Sequence, residues 1–251
     1  MKPPSRNAVP GDIAAITEAR LTFGQRGRAL DTRAALRFSL DHARAREAVM
    51  AELDMARIAG HLAEAGLEHR SVTSAAATRD AYIRRPDLGR TLPGAEAERL
   101  AGAGPVDVAI VLGDGLSGIA ANLAGPAFVT ALATRLSAAG LSHGPVVIAA
   151  QARVALGDPV AMALGAQTVV VALGERPGLS AADSLGVYIT RAPRIGTPDS
   201  ARNCLSNIRE GGMDVETAAD RAMALIRTMR RIGTSGVALS QHIAGAGLPE
   251  R

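Results

Sequence analysis

The sequence predicts an α/β fold, a doubly wound and mostly parallel sheet of Rossmann-like type with a helical N-terminal part. Three observations carry that prediction. Val169-Val170-Val171-Ala172-Leu173 is apolar without alternation, as a strand buried on both faces of a parallel sheet must be. Comparable runs at 107–112 and 145–150 are separated from it, and from each other, by stretches of helical spacing. Short polar loops follow these runs, at the strand ends where such sheets hold ligands.

In chain order, residues 1–11 carry Pro3, Pro4 and Pro10 and read as a flexible tail. Residues 12–66 read as a helical N-terminal domain or arm. Its first helix starts at Asp12 and is interrupted by Arg26-Gly27-Arg28. A second, capped by Thr32, sets Leu36 and Leu40 on one face and Arg33, Arg37 and Arg44 on others. A third places Met55, Ile58 and Leu62 at i, i+3, i+7 and ends at Gly66.

Residues 67–251 form the α/β domain. A polar connection reaches Tyr82-Ile83-Arg84-Arg85-Pro86-Asp87-Leu88-Gly89-Arg90, where Pro86 opposes a regular helix; the segment is either a docking or site-edge loop or an Arg-rich surface turn. After the strand at 107–112 comes Gly113-Asp114-Gly115-Leu116-Ser117-Gly118, then a helix to Gly140 with Phe128, Leu132 and Leu136 on its apolar face. The strand at 145–150 leads through Gln151-Ala152-Arg153-Val154 into a short helix capped by Asp158, with Pro159 at its first position and Gly165 at its end. The central strand runs into Gly174-Glu175-Arg176-Pro177-Gly178, a bent polar loop, and a further strand at 184–190 follows. Arg202-Asn203-Cys204-Leu205-Ser206-Asn207-Ile208 then gathers small polar groups around the sole cysteine. The closing helix aligns Val215, Ala219, Ala222, Ile226 and Met229, with Asp214 and Glu216 at its start, Arg227, Arg230 and Arg231 at its end, and Gly233 as its stop.

Composition narrows the function classes. With 47% hydrophobic residues but only 2% aromatic, the core is aliphatic. The net charge of +4 invites a nucleic-acid reading, yet Lys2 is the sole lysine, the arginines alternate with acids, and few aromatics could stack on bases. A single cysteine excludes an internal disulfide and fits a reducing cytosol. The sequence reading finds no apolar run of membrane-spanning length and no signal peptide, so no membrane partner is expected.

Three motif readings compete. Gly113, Gly115 and Gly118 form a G-x-G-x-x-G between strand and helix, the setting of a dinucleotide site, which makes a nicotinamide-dependent enzyme the first alternative. Against it, Asp114 would face the pyrophosphate, and no acid ends the next strand to hold a ribose. The five histidines are scattered without metal-ligand spacing, so no metal site is expected, and Cys204 has no neighbouring base that would make it a nucleophile. A structural partner that binds no ligand is the second alternative.

GERPGLS (174–180), DSLGVYITRAPR (183–194) and ARNCLSNI (201–208), in that order, resemble the small-subunit (light-chain) family of ethanolamine ammonia-lyase. TRAALRFSLDHARAREAV (32–49), YIRRPDLGR (82–90) and VDVAIVLGDGLS (106–117) extend the resemblance over most of the chain. The resemblance implies an obligate hetero-oligomer with a larger (β/α)8-barrel subunit and adenosylcobalamin held between the two. It also implies cofactor contacts from Val154, Glu175 and Cys204, and no catalytic residue on this chain. From the residues alone, Val154 could equally be a strand-end core valine and Glu175 a turn residue held by Arg176. The implied reaction is ethanolamine to acetaldehyde and ammonia, in the cytoplasm, with a bacterial microcompartment as one setting. No Asp-x-His-x-x-Gly occurs to replace the lower base, so the cofactor is expected base-on.

Overall fold

The computed structural model describes residues 32–102 and 104–245; the tail at 1–11 and the helix begun at Asp12 lie outside the described residues. The strands are β1 (His69–Thr73), β2 (Val108–Gly113), β3 (Val146–Ala150), β4 (Thr168–Gly174), β5 (Leu185–Arg191) and β6 (Asn203–Ile208). They form one six-stranded sheet in the order β1-β3-β2-β4-β5-β6. β1, β3, β2 and β4 are parallel, with Val111 beside both Val147 and Val171. β5 runs antiparallel to β4 and to β6.

The α/β class therefore stands, while the doubly wound parallel sheet stops at β4. The reason is connection length: residues 175–184 and 192–202 are shorter than the dozen or more a parallel crossover needs, so the chain turns back as a meander. β6 itself, read from sequence only as a polar segment, is the edge strand of that meander.

Helices cover the sheet unevenly. On one face, α1 (Thr32–Met50) packs on α5 (Gly118–Ala138), while α2 (Met55–Glu64), α5 and α7 (Val215–Ile232) bury Ile58, Leu62, Phe128, Leu132, Leu136, Ile226 and Met229 against Ile110, Ile148, Val170, Val187 and Ile208. The apolar stripes expected for α2, α5 and α7 are the ones buried, whereas the face expected for α1 is not: Leu36 and Leu40 are 66% and 50% exposed. α5 has the length and hydropathy to cross a membrane, more than the sequence reading allowed for; here Phe128, Val129, Leu132 and Leu136 are wholly buried in the core. α7 begins at Asp214, whose carboxylate accepts from Thr217 N at 2.8 Å, and ends at Gly233 with φ +87°.

On the opposite face, α4 (Gly94–Leu100) and α6 (Gly157–Ala163) bury Leu100, Leu156, Val160 and Leu164 against Val111, Val147, Val169 and Val171. The polar connection expected from Leu67 instead contains β1, α3 (Arg79–Arg84) and α4. β1 escaped notice because only Val72 of its residues is buried, so it shows no apolar run. Pro86 does exclude helix at its own position, but α3 ends just before it, capped at its start by Thr78 Oγ1. Nor does Asp158 cap α6: it lies inside the first turn and its carboxylate faces elsewhere. The short C-terminal α8 (Val237–Gly245) packs on α7.

Candidate functional site

The meander leaves part of the second face open. Alternation places Gly186, Tyr188 and Thr190 of β5 on the same face as Leu173, Val171 and Val169, and sets Cys204 opposite Tyr188. Beyond β4, no helix among the described residues covers that face: Tyr188 is only half-buried, and Cys204 and Ser206 are exposed. Two charged side chains close the ends of this strip.

At one end lies Glu175, the first residue after β4. Its Oε2 accepts from Ser184 Oγ at 2.5 Å and from Asn207 N at 3.2 Å, which ties the β4–β5 loop to β6. The side chain lies flat over Gly186, where a Cβ would come within 2.9 Å of Glu175 Cγ and 3.0 Å of Oε1. Oε1 has no hydrogen-bond partner among the described residues, leaving one carboxylate oxygen to accept from a ligand. The expected turn contact from Arg176 is replaced by Ser184 and Asn207.

At the other end Arg202 makes a bidentate pair with Asp158 at 2.7 and 2.8 Å, both side chains essentially buried. It also donates to Thr190 Oγ1 at 3.1 Å and to Thr197 O at 2.8 Å. This pair ties the strand carrying Cys204 to the helix that follows Val154. Between the two ends, Cys204 is exposed at the strip's surface, yet partial desolvation of its thiol against the strip pushes it up; the Tyr188 hydroxyl opposes the rise and the Glu175 charge adds to it. Burial raises the Tyr188 phenol too, followed by its Cys204 and Glu175 neighbours. Both groups are neutral near pH 7, suited to hydrogen bonding and contact rather than to nucleophilic attack.

Glu175 and Cys204 thus meet around Tyr188. Val154 stands apart, opening the 3-10 turn Val154–Leu156 after β3, half-buried against the cluster that Tyr188 also joins. Beside it, Arg153 stacks on Tyr82 with its guanidinium carbon 4.3 Å from the ring centroid. The opposite neighbour of that ring is Arg79, at 4.6 Å. Tyr82 is wholly buried and donates to Ala152 O at 3.0 Å. Neither earlier reading of 82–90 is complete: Tyr82 and Gly89 belong to the interior, and Arg84 and Arg85 pair on the surface with Asp80 and Asp87.

The glycine loop at 113–118 is filled by the protein itself. The buried Asp114 carboxylate accepts from Gln151 N, Ala152 N and Arg79 Nη1 at 2.8–2.9 Å. Gly115, at φ +55°, would drive a Cβ to 2.2 Å from Gly174 O, and a Cβ on Gly118 would meet Ala51 O at 2.2 Å. Ser117 Oγ occupies the helix start by accepting from Ala120 N. Gly174 O, Ala51 O and the Asp114 carboxylate leave no space for a pyrophosphate there, so the dinucleotide alternative loses its site.

Among known proteins, the model of the ethanolamine ammonia-lyase light chain family matches residues 9–240. The chain belongs to that family. It is 46% identical over 230 residues to the ethanolamine ammonia-lyase small subunit of Rhodopseudomonas palustris, covering 91% of this chain and 88% of that one. The small subunit of Bradyrhizobium diazoefficiens is 45% identical over 249 residues, 95% of each chain, and that of Pseudomonas syringae pv. tomato 43% over 245 residues, 94% and 85%. As a light chain it is a subunit of a lyase.

For this light chain, sequence reasoning named Glu175 and Cys204 but missed Ser184, Gly186, Asp158 and Arg202 as the parts that set them. The period-2 series Gly186-Tyr188-Thr190 was the available signal for a shared face. Asp158 with Arg202 had none, because their pairing crosses from helix to edge strand. The residues present fit a corrin cofactor: an open acceptor on Glu175, a glycine that admits its side chain, and a neutral polar strip on a sheet face with no helical cover among the described residues.

Proposed function

We propose that this chain is the small subunit of an adenosylcobalamin-dependent ethanolamine ammonia-lyase and provides one wall of the cofactor socket, the large subunit providing the other. The observation that carries this reading is the open strip bearing Glu175, Tyr188 and Cys204, in a chain of this family. A sheet face without cover in a chain with an aliphatic core calls for a partner surface.

The spread of the expected contacts supports a large ligand. Val154 follows β3 and Cys204 lies on β6, four strand positions away in the sheet order. At about 4.8 Å per strand this is roughly 19 Å, too wide for ethanolamine and suited to a corrin with its nucleotide tail. When bound, adenosylcobalamin supplies a weak cobalt–carbon bond as the source of radical chemistry. This chain's residues bind and orient: Glu175 Oε1 accepts from a side-chain amide, Tyr188 and Cys204 line the contact surface, and Val154 adds apolar contact. Covering the strip also excludes water from that side of the site. Substrate binding and hydrogen transfer belong to the large subunit, so no catalytic residue is assigned here.

The cofactor is base-on, the hetero-oligomer is obligate, and the complex works in the cytoplasm, with enclosure in a microcompartment as a further setting. Residues 12–66 serve as an arm and residues 67–251 as the cofactor-contacting domain. Purifying each subunit alone and then mixed, followed by assay of ethanolamine deamination with added adenosylcobalamin, tests the proposal. Activity and a stable corrin spectrum are expected only of the mixture; turnover by either subunit alone refutes it.

A further inference from the structure

Arg153 is built differently from the other arginines near the site. Its backbone N donates to Gly89 O at 2.8 Å, and a Cβ on Gly89 would come within 2.8 Å of its Cγ, so the stem is pinned. Its guanidinium is stacked on Tyr82, a ring itself wholly buried. Nε is sealed from solvent without a hydrogen-bond partner. Nη2 makes only a 3.4 Å contact to Tyr82 O, and among the described residues no carboxylate pairs with the group. Nη1 has no partner among the described residues either, but unlike Nε it is not sealed, so it is the open edge of the fork.

Arg79, on the same ring, is neutralised by Asp114; Arg202 by Asp158; Arg85 by Asp87. Among the described residues, Arg153 alone of these four has no carboxylate partner. A fixed, half-buried, unpaired guanidinium at the carboxyl end of a parallel strand is arranged for an anion, and its planar fork matches a phosphate. It also directly precedes Val154, the expected cofactor contact.

We infer that Arg153 binds the phosphodiester of the cofactor's nucleotide tail, the one anionic group of a base-on cobalamin. The inference rests on the cofactor socket proposed above. Stacking on Tyr82 holds the fork in place before the ligand arrives, so little side-chain freedom is lost on binding. The phosphodiester supplies the missing acceptor and neutralises the charge, and it fixes the tail while Glu175 and Cys204 contact the corrin.

The test compares two corrins on the assembled two-subunit complex: cobalamin, and cobinamide, which lacks the phosphate and nucleotide. Affinities are read by corrin absorbance in equilibrium titrations. Arg153→Met is expected to weaken cobalamin by about 10- to 100-fold, the effect of one charge-assisted hydrogen-bonding group, and to change cobinamide less than twofold. Arg153→Lys, which keeps charge and stem but loses the fork, is expected to fall between wild type and Arg153→Met for cobalamin and to leave cobinamide unchanged. It serves by itself if the Met variant does not assemble. Equal losses for both corrins would make Arg153 a packing residue or an anchor for a large-subunit carboxylate and overturn the inference; no loss for either would do the same. A wild-type complex that binds neither corrin would instead refute the socket, an outcome visible before any variant is made.

Discussion

Replacing Asp158 by Asn tests whether the buried pair with Arg202 holds the proposed cofactor face together. Both side chains are at most 2% exposed, the two bonds are 2.7 and 2.8 Å, and Arg202 alone reaches Thr190, Thr197 and Asp158 at once. Removing one partner of a buried pair leaves the other charge without compensation, at a cost of about 3–5 kcal/mol. Asn keeps the shape and one acceptor oxygen, which places this variant near the lower end, about 3 kcal/mol. For a chain of this size that corresponds to a fall in Tm of roughly 6–12 °C. Because the pair pins the start of β6, amide exchange at 202–208 in the assembled complex should accelerate by on the order of 100-fold. Calorimetry gives the first quantity and exchange mass spectrometry the second. The double variant Asp158→Leu with Arg202→Met should recover much of the loss, since an apolar pair of similar volume carries no uncompensated charge. A change below about 1 kcal/mol with unaltered exchange at 202–208 would refute the reasoning.

Other perturbations act on single parts of the site. Glu175→Gln should preserve assembly and weaken cobalamin affinity by about 1–3 kcal/mol, the cost of disturbing a charged hydrogen bond; unchanged corrin titration with normal stability would return Glu175 to a purely structural tie. Gly115→Ala should destabilise by more than about 3 kcal/mol, since it combines a left-handed backbone with a clash against Gly174 that has no flexible atom to move. Thermal melting checks it, and a stable variant would reopen the loop to other ligands. In cofactor-free complex, alkylation of Cys204 should rise with pH about a midpoint above that of an ordinary thiol, and Glu175→Gln should lower the midpoint by removing a nearby negative charge. An ordinary midpoint in both would contradict the geometry. The bonds from Ser142 and Arg230 hold the Asp107 carboxyl below its usual range, so its stabilisation is present above the ordinary carboxylate pKa and is lost as pH falls through the depressed folded value. Asp107→Asn should accordingly flatten the acid limb of a stability–pH curve; an unaltered limb would argue against the bond network.

Legibility in the sequence followed the kind of interaction. α2, α5 and α7 were readable because each buries a 3.6-residue stripe, and β2, β3 and β4 because burial on both faces leaves continuous apolar runs. β1 and β6 were not, since edge strands bury few residues; β6 alternates polar side chains over a half-covered face. Asp158 was read as a cap by a local rule that its residue type satisfies, and a partner 44 residues away overrode it. The G-x-G-x-x-G was legible as a tight strand-to-helix turn but not as a filled one, because Gly174 and Ala51, which occupy the space, come from elsewhere in the chain. Local patterns report what a residue can do with its neighbours in sequence; the site depends on pairings across the sheet.

The departure from a doubly wound sheet is what creates the site. Each parallel connection returns the chain through a crossover, and the helices of those crossovers cover the faces of the strands they join. Had β5 and β6 been added that way, a helix would lie over Tyr188 and Cys204. The two short connections after β4 instead reverse the chain, and α7, entering after β6, packs on the face already occupied by α5. Among the described residues the second face beyond β4 is thus left without cover by topology rather than by any weakness of the core, whose other side buries Val187, Ile189 and Ile208. Glu175 bridges the β4–β5 loop and β6, and Arg202 bridges β6 and α6. These two polar ties fix the open part of the sheet where a helix would otherwise have clamped it. They stiffen the strip without occupying its middle, so a ligand and a second subunit can cover Tyr188 and Cys204 while the sheet beneath them stays in place.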